Sequence, residues 1–472
     1  MCIRDSPKGG EPLPGMAESW TLSDDGKVYT FKINKNAKWS NGDSVTAEDF
    51  VWSWKRVLTP SLGSQYTDML YYVEGAKDYY DGKTDDFSTV GAKAIDELTF
   101  EVILENPTPF FLGLLSHYST WPVHKETVLK HGKIDDRNGQ WTRPGNFVCN
   151  GPMQLKSWKL NNKIVVEKNP FYWDAETVTL NEMHFYPISN IMTEDRMFRA
   201  GQLHNTYTVP AQKCPVYIER GDSTLHIDPY MGTYFYRTNT LHPVLKDVKI
   251  RKALAYSINR QQIVEKVSQC GQAAAYSFTP PGASGYEPQT KMPYDLDLAR
   301  QLLAEAGYPN GEGFPVLEIL FNTNEDHRKI ALAVQQMWQA NLGISVELVN
   351  QDWKVYLSRE RSGDFQISRA GWIGDYEDPN TFLDTLMPGR GNNKTGWNNK
   401  RYEELVNAAN QTQDEEERFE LLRQAETILI DEMPIIPIYT YVRQYQLSDD
   451  VKGWYPNYLD HHHPKYISLK RD

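Results

Sequence analysis

An α/β fold spread over more than one lobe is predicted, and three observations carry it. The chain is 472 residues long, more than one hydrophobic core serves. The stretch PVLEILFNTNEDHRKIALAVQQMWQANLGISVELVN reads as strand, helix and strand: Ile330, Val334 and Trp338 recur at helical spacing, Gly343 ends the helix, and the whole is one β-α-β crossover. From Gly9 the text runs instead as hairpin, loop and helix, so antiparallel units accompany the crossover.

Charge and composition narrow the function classes. Lys plus Arg is 50 against 62 for Asp plus Glu, a formal net charge of −12, which argues against nucleic acid and against an anionic membrane surface as partners. No window approaches the length of uncharged apolar sequence that spans a bilayer. Aromatics are 12% of residues, with 28 Tyr and 13 Trp; such rings suit a large wet recognition surface, and aromatic-rich packing accounts for them equally well. Cys2, Cys149, Cys214 and Cys270 lie far apart without metal-ligand or CxxC spacing, so no thiol chemistry is indicated and their redox state stays open. The opening MCIRDS has no apolar core and is no secretion signal.

In chain order, Asp24-Asp25-Gly26 forms a turn, and Val28, Thr30 and Lys32 alternate with Tyr29, Phe31 and Ile33 as in a half-buried strand. Thr46 caps a helix with Asp49 at the capping-box position, and Phe50, Trp54 and Val57 line one face. The segment AIDELTFEVILENPTPFFLGLLS gives a strand and then a bend at Pro107 and Pro109. A turn cluster at Pro144, Gly145 and Asn150 to Pro152 precedes two edge-like strands. HIDPYMGTYFYRTNT alternates through Tyr230, Tyr234 and Tyr236 as a strand entering a new lobe. Ile250, Ala253, Leu254 and Ile258 share a helix face, Gly307 stops a later helix, and two helices follow residue 397 before a last strand, IIPIYTYVRQYQL. The acidic run Asp414 to Glu417 is a solvated helix start favoured by the helix dipole.

The most informative stretch is RAGWIGDYEDP, Arg369 to Pro379. Its glycines let a main chain come close, Trp372 is a flat apolar wall, and Asp375 is a fixed anion. That combination suits a ligand with its own backbone and a positive end. A loop Asp that merely caps the next turn is the bland alternative.

R-A-G-W-x-x-D-Y-x-x-P resembles the signature of the oligopeptide-binding proteins, the family 5 solute-binding subunits of ATP-driven (ABC) peptide importers. A-x-S-W, W-S-x-G, T-A-x-D-F-x-x-S-W-x-R, G-x-x-x-L-x-x-W and K-N-P-x-Y-W match the family as well, so the likeness runs over nearly the whole chain from Gly9. It implies a periplasmic-binding-protein fold: two α/β lobes that close on a ligand plus an additional β-rich domain. Residues 1–125 would form the additional domain, 126–231 with 443–472 the first lobe, and 232–442 the second. Asp375 would pair with the α-ammonium of a short peptide, with Gly371, Trp372 and Ile373 along its backbone. Arg369, His327 and the pair Arg359 and Arg361 are candidates for the carboxylate end; Arg359 and Arg361 straddle the family's arginine position, which Glu360 occupies. His327 and Trp353 stand at element ends, where open sheets present binding residues. Tyr66 and Tyr234 complete the implied peptide-binding set, with an ordinary packed tyrosine the alternative at 66.

The resemblance further implies a protein outside the cytoplasm, periplasmic or lipid-anchored, a monomer that delivers peptides to permease subunits, with no cofactor, no metal and no catalytic residue. Enteric members place a disulfide between two positions that here are Gly232 and Ile373. Ser268 stands where many members carry a lysine after I-V-x-K-V. The landmarks sit about forty residues later in full-length members, so MCIRDS reads as a non-native scar in place of a secreted start that supplies a sheet strand and one edge of the ligand slot.

Three other readings compete with this one. Paired acids such as Asp375 with Asp378 or Glu377 fit a glycoside hydrolase, but they crowd one loop and no nucleophile motif accompanies them. A murein-type peptide or another small solute is the second. A sugar-binding relative, the third, has little use for an aspartate aimed at an ammonium. His461 to His463 read as an interface loop rather than a metal site.

Overall fold

A computed structural model describes residues 4–6 and 9–470. The chain forms two compact units: Met1–Asn205 with Asn410–Gln413 and Leu447–Asp472, and Thr206–Ala409 with Asp414–Gln446. Of the opening MCIRDS, residues 1–3, including Cys2, lie outside the described residues, and Arg4–Ser6 pairs antiparallel with Gly9–Leu13.

The first unit contains an antiparallel sheet ordered Ala17–Leu22, Val28–Ile33, Thr99–Ile103 and Ala92–Asp96. Alternation along Val28–Ile33 is realised: Tyr29, Phe31 and Ile33 are buried and Lys32 is exposed. The helix Ala47–Leu58 covers this sheet, entered through the expected capping box, in which the Thr46 N–H donates to the Asp49 carboxylate at 2.8 Å. Phe50 and Trp54 meet Phe100 at centroid distances of 5.5 and 5.2 Å, and the Trp54 indole donates to the Thr120 carbonyl at 2.9 Å. Val57 is only half-buried; Leu58, one position on, takes the core place at the end of the stripe. A second antiparallel sheet runs Met153–Lys159, Lys163–Lys168 and Glu182–Phe185.

The second unit is built on a six-stranded mixed sheet ordered Ala273–Ala274, Ile435–Gln446, Leu225–Thr238, Ile367–Ile373, Leu317–Asn322 and Val346–Gln351. The crossover is as the sequence predicts: Leu317–Asn322 and Val346–Gln351 are parallel, joined by the helix Glu325–Leu342, which Gly343 ends at φ 71°. Ile330, Val334 and Trp338 are buried on it, and the Trp338 indole donates to the Leu254 carbonyl at 2.9 Å, tying the helix Val248–Tyr256 to the same core. Asp414 caps the helix Glu415–Glu432 by accepting from the Glu417 N–H at 2.9 Å, which explains the acidic run. Cys214 and Cys270, far apart in sequence, are joined in a disulfide inside a small cluster with Val209 and Tyr217. Cys149, in the first unit, is a free thiol. Among the described residues no helix is long and apolar enough to cross a membrane.

Candidate functional site

The strand Ile367–Ile373 is central in its sheet and runs antiparallel to Leu225–Thr238, with Tyr236 opposite Arg369, Tyr234 opposite Gly371 and Gly232 opposite Ile373. Strand alternation places Arg369, Gly371 and Ile373 on one face. Tyr234 in turn lies opposite Tyr439 on the next strand, their rings stacked at 4.8 Å. An aromatic floor therefore surrounds the guanidinium of Arg369, which sits 4.9 Å from the Tyr234 ring centre and donates to the Tyr441 hydroxyl at 3.0 Å and to Asn322 Oδ1 at 3.4 Å.

Among the described residues no carboxylate lies within 4 Å of Arg369, and its Nε is buried without a hydrogen-bond partner. Burial works against its charge, but the surrounding tyrosines, Tyr441 first and then Tyr234, more than offset that, and its pKa is raised. His327, whose ring lies 5.6 Å from Tyr234, is the opposite case: burial and then the Arg369 charge press its pKa down to about 2, so the imidazole is neutral. Its Nδ1 is also buried without a partner. Gly371 is needed because a Cβ there would come within 2.5 Å of the Tyr441 hydroxyl and drive it off Arg369.

On its other side the strand pairs only through Ile367 and Ser368. The edge from Ala370 to Ile373 has no strand partner there among the described residues, an open row of main-chain groups. At its end the chain turns through Gly374, whose N–H donates to the Met231 carbonyl at 2.8 Å. Thr381 fixes the turn from both directions: its hydroxyl accepts from the Asp375 N–H at 3.0 Å and its carbonyl accepts from the Trp372 indole at 2.7 Å. Asp375 and Trp372 are half-buried. Asp378, by contrast, is buried in a two-point ion pair with Arg418, which removes it as a free acid beside Asp375.

The other expected residues divide. Trp353 is 56% exposed and stacks at 5.4 Å on Tyr356, whose hydroxyl donates to the Arg369 carbonyl, so it joins the cluster at one remove. Arg361 is exposed at the end of the same helix, Trp353–Ser362, and is not brought together with Arg369 and His327. Its neighbours are structural: Arg359 pairs with Glu318 at 2.6 Å and Asp364 at 2.9 Å, and buried Glu360 accepts from Arg237 at 2.7 Å and Ser368 at 2.6 Å. Tyr66 belongs to the first unit, its ring 4.8 Å from His117 and 6.2 Å from Tyr118. In that unit His462 pairs with Asp460 at 2.9 Å and stacks on Trp454 at 3.9 Å; among the described residues no group of three His, Cys, Asp or Glu is placed to hold a metal ion.

Asn322, Tyr356, Tyr439 and Tyr441 were not singled out from sequence. The Tyr-Thr-Tyr alternation at 439–441 was the available signal, since it puts both rings on one strand face.

Over residues 11–394 the chain matches the family described as bacterial extracellular solute-binding proteins, family 5 Middle. The chain belongs to this family. Among its relatives is the oligopeptide-binding protein OppA of Bacillus subtilis (strain 168), 40% identical over 458 residues that cover 94% of this chain and 82% of that protein. The solved structure of the Escherichia coli murein tripeptide binding protein MppA superimposes with a TM-score of 0.92 at 33% identity, covering 100% of this chain and 92% of that one. Haemophilus influenzae OppA in complex with RPPGFSPFR gives 0.90 at 34% identity, over 99% of this chain and 92% of that one. This family 5 protein thus has the α/β fold class expected from its sequence.

Proposed function

We propose that this chain is the extracytoplasmic substrate-binding protein of an ABC importer, capturing peptides of about two to five residues by backbone pairing and by their charged ends. The observation that carries the reading is the open strand edge Ala370–Ile373, with a half-buried cation that has no carboxylate within 4 Å among the described residues at one end and the turn bearing Asp375 just past the other. A peptide added along such an edge gains main-chain hydrogen bonds whatever its sequence. Asp375 takes its ammonium, and Arg369 with neutral His327 takes its carboxylate. Relatives named as oligopeptide- and dipeptide-binding proteins support this assignment.

On this reading the protein is a binder and not an enzyme, uses no cofactor, acts as a monomer on permease subunits, and works in the periplasm or at the cell surface. Residues 1–125 serve as the additional domain, with 126–231 plus 443–472 and 232–442 as the two lobes. A murein-type peptide is the second reading, favoured by the 0.92 superposition on the murein tripeptide binder.

Calorimetry with trialanine and with N-acetyl-trialanine tests the anchor. Acetylation should abolish binding, as should Asp375→Asn for the free peptide; equal affinities for the two peptides would remove Asp375 from its role. Native mass spectrometry of the purified protein, by the mass of any retained ligand, distinguishes a simple peptide from a murein-type one.

A further inference from the structure

The turn that presents Asp375 is tied to the body of its unit by a chain of contacts that starts on the helix Glu415–Glu432. Arg418, 3% exposed, grips both carboxylate oxygens of Asp378, 6% exposed, with Nη1 to Oδ2 at 2.9 Å and the second nitrogen on Oδ1. Asp378 Oδ1 also accepts from the Asn380 N–H at 2.8 Å, and the Asp378 carbonyl accepts from the Thr381 N–H at 3.2 Å. Thr381 then holds the Asp375 N–H and the Trp372 indole, as described above. Three links lead from a buried guanidinium to each of the two residues that would meet the ligand's amino end.

The same helix secures a second loop. Glu426, two turns beyond Arg418 and 1% exposed, accepts from the N–H groups of Phe278 and Thr279 at 2.9 and 2.7 Å and from the Tyr286 hydroxyl at 2.8 Å. In that loop Ser284 donates its hydroxyl to the Glu377 carbonyl, on the turn itself. The turn is therefore held by the helix directly through Arg418 and indirectly through Glu426 and Ser284.

A buried ion pair is weak evidence for stability, because desolvation cancels much of the attraction. Its distinctive product is geometry, since a bidentate guanidinium–carboxylate contact fixes distance and plane together. We propose that Arg418, acting through Asp378 and Thr381, is a positioning residue for the ammonium site, setting the place of Asp375 without touching the ligand. The proposal rests on the reading that Asp375 anchors a peptide's amino group.

The test compares Asp378→Asn, Arg418→Gln, the double variant and Thr381→Val, measuring by calorimetry the ratio of affinities for trialanine and N-acetyl-trialanine, well below each variant's melting temperature. Positioning requires the ratio to fall in all four, by roughly tenfold or more, the scale that outer hydrogen-bond partners carry at metal sites. Thr381→Val leaves the ion pair intact, so it decides the matter if the charge variants do not fold. The proposal is overturned if melting temperatures drop while the ratio holds, which is a purely structural role. It is equally overturned if Asp378→Asn and Arg418→Gln move the ratio in opposite directions, since that is a charge effect at a distance. Asp375→Asn separates the two levels: a ratio it leaves unchanged sinks the peptide-anchor reading itself, whereas loss there with retention in the other four sinks only the role of Arg418.

Discussion

Gly232 and Ile373 face each other across the two central strands of the second unit, and the isoleucine occupies the space a side chain on the glycine would need: a Cβ at 232 would lie 2.3 Å from Ile373 Cδ1. These are the two positions at which enteric relatives are expected to carry a disulfide. In this chain the two positions are direct cross-strand partners, one small and one large.

Two opposite outcomes follow for this pair. Gly232→Ala alone also meets the Trp372 carbonyl at 3.0 Å, and is expected to destabilise the protein by about 1–3 kcal/mol in denaturant titration. Gly232→Cys with Ile373→Cys should relieve the overlap and form a cross-strand disulfide, detected as loss of free thiol and a reductant-sensitive melting temperature. A double variant that stays reduced under oxidising conditions would contradict the register.

Cys214–Cys270 closes a loop of 56 residues, and cross-linking a loop of that length is worth about 4 kcal/mol in the chain-entropy account. Cys214→Ala with Cys270→Ala should lower the stability of the second unit by about 2–4 kcal/mol. Unfolding monitored with and without reductant checks this, since the double alanine variant should no longer respond to reductant.

Two histidines make acid destabilising. Burial lowers His117 to about 4, and burial with the Arg369 charge lowers His327 to about 2, both from an ordinary 6.5. Below that value the unfolded chain takes up a proton that the folded state refuses, so stability present at neutral pH is lost as pH falls through 6.5. At pH 5 each costs about 2 kcal/mol. Glu426 works against them: burial raises it to about 6, so its carboxylate is a burden at neutral pH that protonation relieves between about 6 and 4.5. Urea titrations at pH 7 and pH 5 should show the histidine loss, and His117→Asn or His327→Asn should each flatten it.

Arg369→Gln should weaken binding of a peptide with a free carboxylate by about 2–5 kcal/mol and have much less effect on its C-terminal amide. Calorimetry with trialanine and its amide reads this directly. Equal losses for both would assign Arg369 to the aromatic floor rather than to the ligand's end.

Much of this was legible from residue order. Local rules suffice for the capping box at Thr46 and Asp49, the alternation of Tyr29, Phe31 and Ile33, and the crossover around Trp338, because each is decided within a few turns or a few strand positions. The second half of the site was not legible in that way. Tyr441 reaches Arg369 only because Ile435–Gln446 and Ile367–Ile373 flank the same strand, and nothing near either residue encodes that neighbourhood. Arg359 and Arg361 illustrate the same limit, since two residues along one helix separate an arginine paired with both Glu318 and Asp364 from an exposed side chain. The bond between Cys214 and Cys270 was equally invisible, as spacing alone fixes no pairing.

The strand order of the second unit also has a bearing on the newborn chain. Leu225 pairs with Gln446, nearly half the sequence away, and the strand bearing Arg369 lies on the other flank of that same long partner. Contacts so distant in sequence form late, after the cost of closing the intervening loop has been met. Tyr439 and Tyr441, which complete the aromatic floor, are among the last residues of the unit to be synthesised. A chain still emerging from the ribosome or threading a translocation channel thus has no complete aromatic floor, and it gains one only after Tyr439 and Tyr441 have been released.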